Sequence, residues 1–307
     1  MLYEFALDPT VLSNWQSVRF FLDRFGIEYG RMISRFPKHW MRMVYEASAN
    51  CREVELSRIV ERLAELKQNR DRVLLNSARI YDPTIEWLEN AEAANAISPF
   101  HAIISRCNPR GCPSVLISDD IYDATPLFHV ERELYITSRA AVMAQAVSPL
   151  LLASKEILFV DRHFDPLQEK YQRPLREFVR AAVSTETTRI EYHLRGDLPS
   201  SLYAEEFSQY CHEALPGILP SGVELRLIRW GQRVGGREFH ARFILTDVGG
   251  IQFDPGLDEG KAGERTKLNL LTTAAYDQEW SKYQNDGIHP AATTFSLLDE
   301  VLVIGEA

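Results

Sequence analysis

Between Phe239 and Gly250 the chain sets a histidine, a guanidinium and a carboxylate at short intervals: His240, Arg242 and Asp247. Residues of these types can cleave a phosphodiester. An imidazole titrates near neutral pH and can attack phosphorus or transfer a proton. A guanidinium offers a planar fork of donors that matches phosphate oxygens.

The spacing has to be delivered by a strand and a turn. Side chains alternate across a β-strand, so Phe239, Ala241, Phe243 and Leu245 form one apolar face, and His240 and Arg242 project together from the other. Asp247 lies an odd number of residues after His240 and would face away if the strand continued. Val248-Gly249-Gly250 supports a tight reversal, so Asp247 is expected at the bend, before the chain returns through Gly250-Ile251-Gln252-Phe253.

The motif resembles the His-x-Lys-x4-Asp signature of the phospholipase D superfamily, with Arg242 standing where the family has lysine. The resemblance implies that His240 is a nucleophile forming a phosphohistidine, Arg242 a phosphate clamp and Asp247 the orienter of an imidazole, with no metal or other cofactor. It extends to Glu156–Pro166, an apolar run ending in an Asp-rich tip, which is similar to the opening strand of such a domain. It also extends loosely to Asp254–Gly260, in the place of a Gly-Ser-x-Asn-like segment, where Asp258 substitutes for asparagine and Arg237 or Arg265 would have to offset its charge. Family catalysis uses two such motifs and this chain has one. Two chains on a two-fold axis would supply the second histidine, so a homodimer is expected, with His163 at the tip of the Asp161 strand as an alternative acid within one chain.

Four arginines, Arg226, Arg229, Arg233 and Arg237, crowd the approach to His240. Arg229, Arg233 and Arg237 are expected to bind substrate phosphates together with Asp258 and His163, supplying a local positive field. That field matters because the whole chain carries a net charge of -9, which argues against a surface that coats nucleic acid. A basic groove suffices for a nuclease, and Lys261, Arg265 and Lys267 extend it. A bilayer substrate fits less well, since the sequence has no basic amphipathic helix.

The 307 residues, 45% of them hydrophobic, are enough for one large or two ordinary domains. The absence of a signal-peptide pattern at Met1–Asp8 and of a long apolar run favours the cytoplasm. Four scattered cysteines suggest neither a disulfide framework nor a zinc site. Asp119-Asp120-x2-Asp123 and His129-x-Glu131 lack the glycine and terminal glutamate of a calcium loop, so no metal is assigned.

Periodicity divides the rest. Apolar residues at helical spacing over 11–25, 38–49 and 53–69 predict a helical module at 1–70, whose aromatic residues could face a protein partner. Beyond it, strands are expected at 72–81, 100–107 and 112–118, a helix at 83–97 and another at 139–155 broken near Pro149. The expected architecture is thus an α/β domain over 71–307, a phospholipase D-like α/β/α sandwich with the motif-bearing part at 150–307, behind an N-terminal helical module. The expected function is a metal-independent nuclease. The alternative is a catalytically degenerate subunit that binds nucleic acid or protein partners in a larger bacterial assembly.

Overall fold

The computed structural model describes residues 1–69, 72–183, 187–235, 239–284 and 295–306. The chain is mixed α/β with two sheets and divides into two compact units, Met1–Glu131 and Arg132–Ala307.

The first unit follows the order β1 (Tyr3–Leu7), α1 (Trp15–Leu22), β2 (Arg31–Ser34), α2 (Trp40–Ala47), α3 (Glu53–Gln68), β3 (Leu74–Leu75), α4 (Trp87–Ile97), β4 (Ala102–Ser105) and β5 (Val115–Ile117). Its strands are all parallel, in the order β3-β2-β1-β4-β5. The expected boundary near residue 70 therefore falls inside a unit, because β1 and β2 pair with strands on both sides of it. The helix expected over 11–25 is shorter, since Asn14 accepts the Ser17 N–H at 2.9 Å and caps α1 after a preceding short turn. The strand expected over 72–81 is reduced to Leu74–Leu75.

The second unit contains β6 (Glu133–Thr137), α5 (Ala140–Leu152), β7 (Glu156–Val160), α6 (Glu169–Ala182), β8 (Arg189–Arg195), α7 (Ala204–Ala214), β9 (Glu224–Gln232), β10 (Arg242–Thr246), β11 (Gly250–Asp254), β12 (Arg265–Leu270), α8 (Thr273–Lys282) and β13 (Phe295–Ile304). These strands form one sheet ordered β13-β9-β8-β7-β10-β11-β12-β6. β7, β8 and β9 run parallel, and β10 inserts antiparallel between β7 and β11. Helix α5 continues through Pro149 rather than breaking there. Proline removes the donor that would serve the Gln145 carbonyl, and the Ser148 hydroxyl donates to that oxygen instead at 3.1 Å.

Alternation sorts the sheet's two faces. Leu158, Val160, Phe243 and Leu245 pack with Phe239 and with Tyr276 of α8. On the other face Phe159 stacks on Phe178 of α6 with centroids 5.7 Å apart, and Phe178 meets Phe253 at 6.1 Å. The α8 face also holds a buried polar ladder on β8. The Trp230 indole donates to His193 Nδ1 at 3.0 Å, His193 Nε2–H donates to Glu191 at 3.1 Å, and Arg189 joins Glu191 to Glu156 at 2.7 and 2.9 Å. Burial alone would push the Glu191 carboxyl up, but the bonds from His193 and Arg189 outweigh it and bring it to about 2. Among the described residues no helix is long and apolar enough to cross a membrane.

Candidate active site

The strand register decides what can meet. Phe243 pairs with Val160 and Thr246 with Ile157, so the His240 end of β10 lies at the carboxyl end of β7 and the Asp247 end lies at its start. The carboxyl edge of β7, β8, β9 and β11 thus receives the amino end of β10, and ligands of α/β sheets bind at such carboxyl edges.

Asp161 stands just beyond β7, on the α6 face with Ile157 and Phe159. It is 1% exposed, and its two carboxyl oxygens accept the backbone N–H groups of His163 and Leu257, both at 3.0 Å. Burial raises its pKa, partly countered by those two bonds and by Arg242. The loop that brings Leu257 so close depends on Gly256, where a Cβ would lie 2.5 Å from Asp258 Oδ1 and 3.3 Å from Asp161 Oδ2. Arg242 projects from β10 on the same face, with Nε 4.0 Å from Asp161 Oδ1. That Nε–H is buried and has no hydrogen-bond acceptor. A buried donor without an acceptor costs roughly 1–3 kcal/mol, so Arg242 offers this edge a buried N–H that an anionic oxygen can accept.

Beside it one guanidinium joins two imidazoles. Arg162 Nε donates to His163 Nε2 at 2.9 Å, and its Nη1 lies 3.3 Å from His240 Nδ1. Arginine has only donors, so both contacted ring nitrogens are unprotonated and each imidazole carries its proton on the other nitrogen. Desolvation and then the Arg162 charge lower the His163 pKa, with Arg242 and Lys170 adding to the effect and Asp161 opposing it. His163 is therefore neutral at neutral pH. Lys170, in the first turn of α6, holds Asp258 at 3.1 Å. Burial, with Asp161 and Asp258 adding to it, pushes the neighbouring Tyr171 phenol up to about 12, so it stays protonated and able to donate.

His240, Arg242, His163 and Asp258 are thus gathered at one edge of the sheet. His240 and Arg242 do share a face, opposite Phe239 and Phe243. The other expected site residues lie elsewhere. Asp247 accepts the backbone N–H groups of Lys155 and Glu156 at 2.9 and 3.2 Å. Seven residues of extended chain cover roughly 23 Å, so it orients no imidazole here and instead secures the start of β7. Arg229 is 4% exposed and fully engaged: it pairs with both oxygens of Asp299 at 2.8 Å, donates to the Leu202 carbonyl at 2.7 Å and lies over the Phe207 ring. It is a structural arginine rather than a phosphate ligand. Arg233 is exposed and donates to the Ser296 hydroxyl at 3.1 Å, away from the cluster. Arg237 lies outside the described residues. Arg265 donates to the Tyr135 carbonyl at 2.6 Å, and the counter-charge for Asp258 comes from Lys170.

Two residues at the site, Arg162 and Lys170, had no assigned role in the sequence. The signal for the first was adjacency, since any residue next to His163 at a strand tip shares its edge. Lys170 gave none, because its place depends on how α6 meets the Asp258 loop. Among the described residues no group of three His, Cys, Asp or Glu side chains is placed to hold a metal ion.

No family model matches the chain. No curated protein matches it either. Among solved structures it is similar to that of TrmBL2, an archaeal chromatin protein with a novel mode of DNA binding, at 17% identity and a TM-score of 0.23. The match covers 50% of this chain and 54% of that protein, so the chain spans about half the length of this neighbour. A likeness at that score carries no argument about what this chain is or does.

Proposed function

We propose that residues 132–307 form a phospholipase D-like α/β/α sandwich that hydrolyses phosphodiesters of nucleic acid through a phosphohistidine, using His163 and His240 as its two imidazoles. The observation that supports this reading most is the pair of imidazoles held by one guanidinium beside the unsatisfied Nε–H of Arg242. Attack and leaving-group protonation need two such groups on opposite sides of phosphorus. Because the second imidazole comes from the same chain, a two-fold dimer is not required.

The resemblance assigned attack to His240, and the electrostatics favour the reverse. His163 is held neutral with a lone pair on Nε2. In the first step, with Arg162 drawn aside by the phosphate and His240 having taken up a second proton, Nε2 of His163 attacks phosphorus, the bond to the leaving oxygen breaks, and the His240 imidazolium gives one proton to that oxygen and becomes neutral. In the second step His240 takes a proton from water, the water oxygen attacks phosphorus, and the bond to His163 breaks. Arg242 and Arg162 bind the non-bridging oxygens in both steps. Arg162 fills the space between the imidazoles in the free protein, and charge-assisted bonds to phosphate are stronger than bonds to neutral nitrogens, so an entering phosphate draws it aside.

Binding without turnover is favoured by one feature, the same Arg162 occupying the gap where phosphorus must lie. Hydrolysis of bis(4-nitrophenyl) phosphate in the presence of EDTA separates the two. Turnover is expected to survive chelation and to fall on the order of 10²-fold or more in His163→Ala and in His240→Ala. Loss on chelation with recovery on adding a divalent cation, or no turnover at all, would overturn the catalytic reading.

A further inference from the structure

The charged side chains at the reactive edge form a linked series. Arg242 Nε stands 4.0 Å from Asp161 Oδ1, and Asp258 Oδ2 accepts from Lys170 Nζ at 3.1 Å. Gly256 joins the two pairs, because the point where its Cβ would stand is 3.3 Å from Asp161 Oδ2 and 2.5 Å from Asp258 Oδ1. The two carboxylates are therefore within about 6 Å of each other, the range over which one negative charge disfavours another. All four side chains, with Arg162 and His163, line one cleft of about 550 Å³.

The other charged groups on that cleft are engaged with their own partners. Arg195 pairs with Asp197 at 2.6 Å and Arg229 with Asp299 at 2.8 Å. Asp165 accepts the Leu167 N–H at 2.9 Å and the Gln168 side-chain amide at 2.6 Å. His163 and His240 each turn a ring nitrogen to Arg162 and add no charge in the free protein. Around Arg242 the cations Arg162, Lys170 and Arg242 thus face the carboxylates Asp161 and Asp258. Their sum is one positive charge, which a phosphodiester balances. A phosphomonoester carries about 1.5–2 negative charges at pH 7, and its second charge meets two carboxylates without a further cation.

We infer that Asp258 is a specificity-determining residue: it lets the site take phosphodiesters, which carry one negative charge, and turn away phosphomonoesters, which carry two. The inference rests on the phosphodiesterase reading for its reaction, while the charge filter is a property of binding. Hydrolysis adds water across the P–O bond, and the monoester formed gives a proton to bulk water at neutral pH, since its second pKa is about 6. The product thereby gains the charge that Asp258 repels, and leaves. Asp161 anchors the loop through the His163 and Leu257 amides, so its charge cannot be removed with the loop in place. Asp258 is bonded to a side chain, and its charge can.

The test measures binding in a chain that lacks the attacking imidazole. His163→Ala is titrated by calorimetry at pH 8 and low salt with methyl 4-nitrophenyl phosphate and with 4-nitrophenyl phosphate, which share a ring and differ by one charge. A purely basic site prefers the doubly charged ligand. Here the diester is expected to bind at least about threefold more tightly, since a unit charge about 6 Å away changes affinity by roughly threefold per ligand charge even in water. Adding Asp258→Asn should abolish or reverse the preference, and adding Lys170→Met should widen it. Equal or tighter binding of the monoester by His163→Ala would overturn the filter and leave the phosphodiesterase reading in place. So would a preference unmoved by Asp258→Asn in a chain that keeps its melting temperature or, where that variant does not fold, one unmoved by Lys170→Met. No binding of the diester would remove the phosphodiesterase reading, and the filter with it.

Discussion

Arg162→Met separates the two tasks that a bridging guanidinium performs. In the free protein Arg162 makes bonds of 2.9 Å to His163 and 3.3 Å to His240. Water replaces such bonds at a partly exposed edge, so their loss is worth no more than about 1 kcal/mol. For a unit of this size that moves the melting temperature by about 2–4 °C. On the proposed reaction the same group donates to phosphoryl oxygens in the transition state, and a hydrogen bond to a charged group contributes about 1.5–3 kcal/mol. At about 1.4 kcal/mol per decade, kcat/KM is expected to fall roughly 10- to 150-fold. A second effect has a definite sign. After burial, the Arg162 charge is the largest influence lowering the His163 pKa, so removing it raises that pKa. If His163 must be neutral to attack, the acid limb of the kcat/KM profile moves to higher pH. The assay is bis(4-nitrophenyl) phosphate hydrolysis across the pH range. A rise in activity would show that Arg162 is a plug, and an unchanged rate with an unmoved acid limb would show that it touches neither phosphate nor the attacking imidazole.

Three further outcomes follow from side chains that serve the fold. Asp247→Ala is expected to cost about 1–2 kcal/mol by freeing the Lys155 and Glu156 amides while leaving kcat within twofold; a collapse of kcat would restore a catalytic role. Arg229→Met leaves the half-buried Asp299 carboxylate without its paired cation and is expected to destabilise by about 1.5–3 kcal/mol in urea unfolding, and a loss of substrate affinity without a loss of stability would contradict this. Glu191 falls from 4.5 to about 2 on folding, a difference of roughly 3 kcal/mol. Because its folded value is depressed, that stability is present above pH 4.5 and is lost as pH falls toward 2. Glu191→Gln is therefore expected to flatten the acid side of the stability curve, and an unchanged slope would refute the ladder's contribution.

The sequence was most legible where a single strand decides the outcome. Period-two alternation was enough to put His240 and Arg242 on one face and Phe239 and Phe243 on the other. It failed where the decisive fact was length: a motif of eight residues outruns the edge it serves, and Asp247 arrives at the opposite end of β7. Strands β1 and β2 left no alternating signal because both of their faces are covered, with Phe5, Ala6, Leu7, Met32 and Ile33 all buried. Arg229 looks like a phosphate ligand in sequence because its partner, Asp299, lies 70 residues later, in the neighbouring strand β13. His163 was visible as a candidate, but only the turn after β7 shows that Arg162 ties it to His240.

A quench experiment on His240→Ala tests the central claim most directly. Nitrophenolate leaves without much help from an acid, so attack by His163 on bis(4-nitrophenyl) phosphate is expected to continue, and the second step stalls because no imidazole takes the proton from water. One equivalent of nitrophenolate per chain should appear in a burst, with a nitrophenyl phosphate adduct on His163 located by peptide mass spectrometry and no burst from His163→Ala. An adduct on His240 in His163→Ala, or no covalent adduct in either variant, would contradict attack by His163.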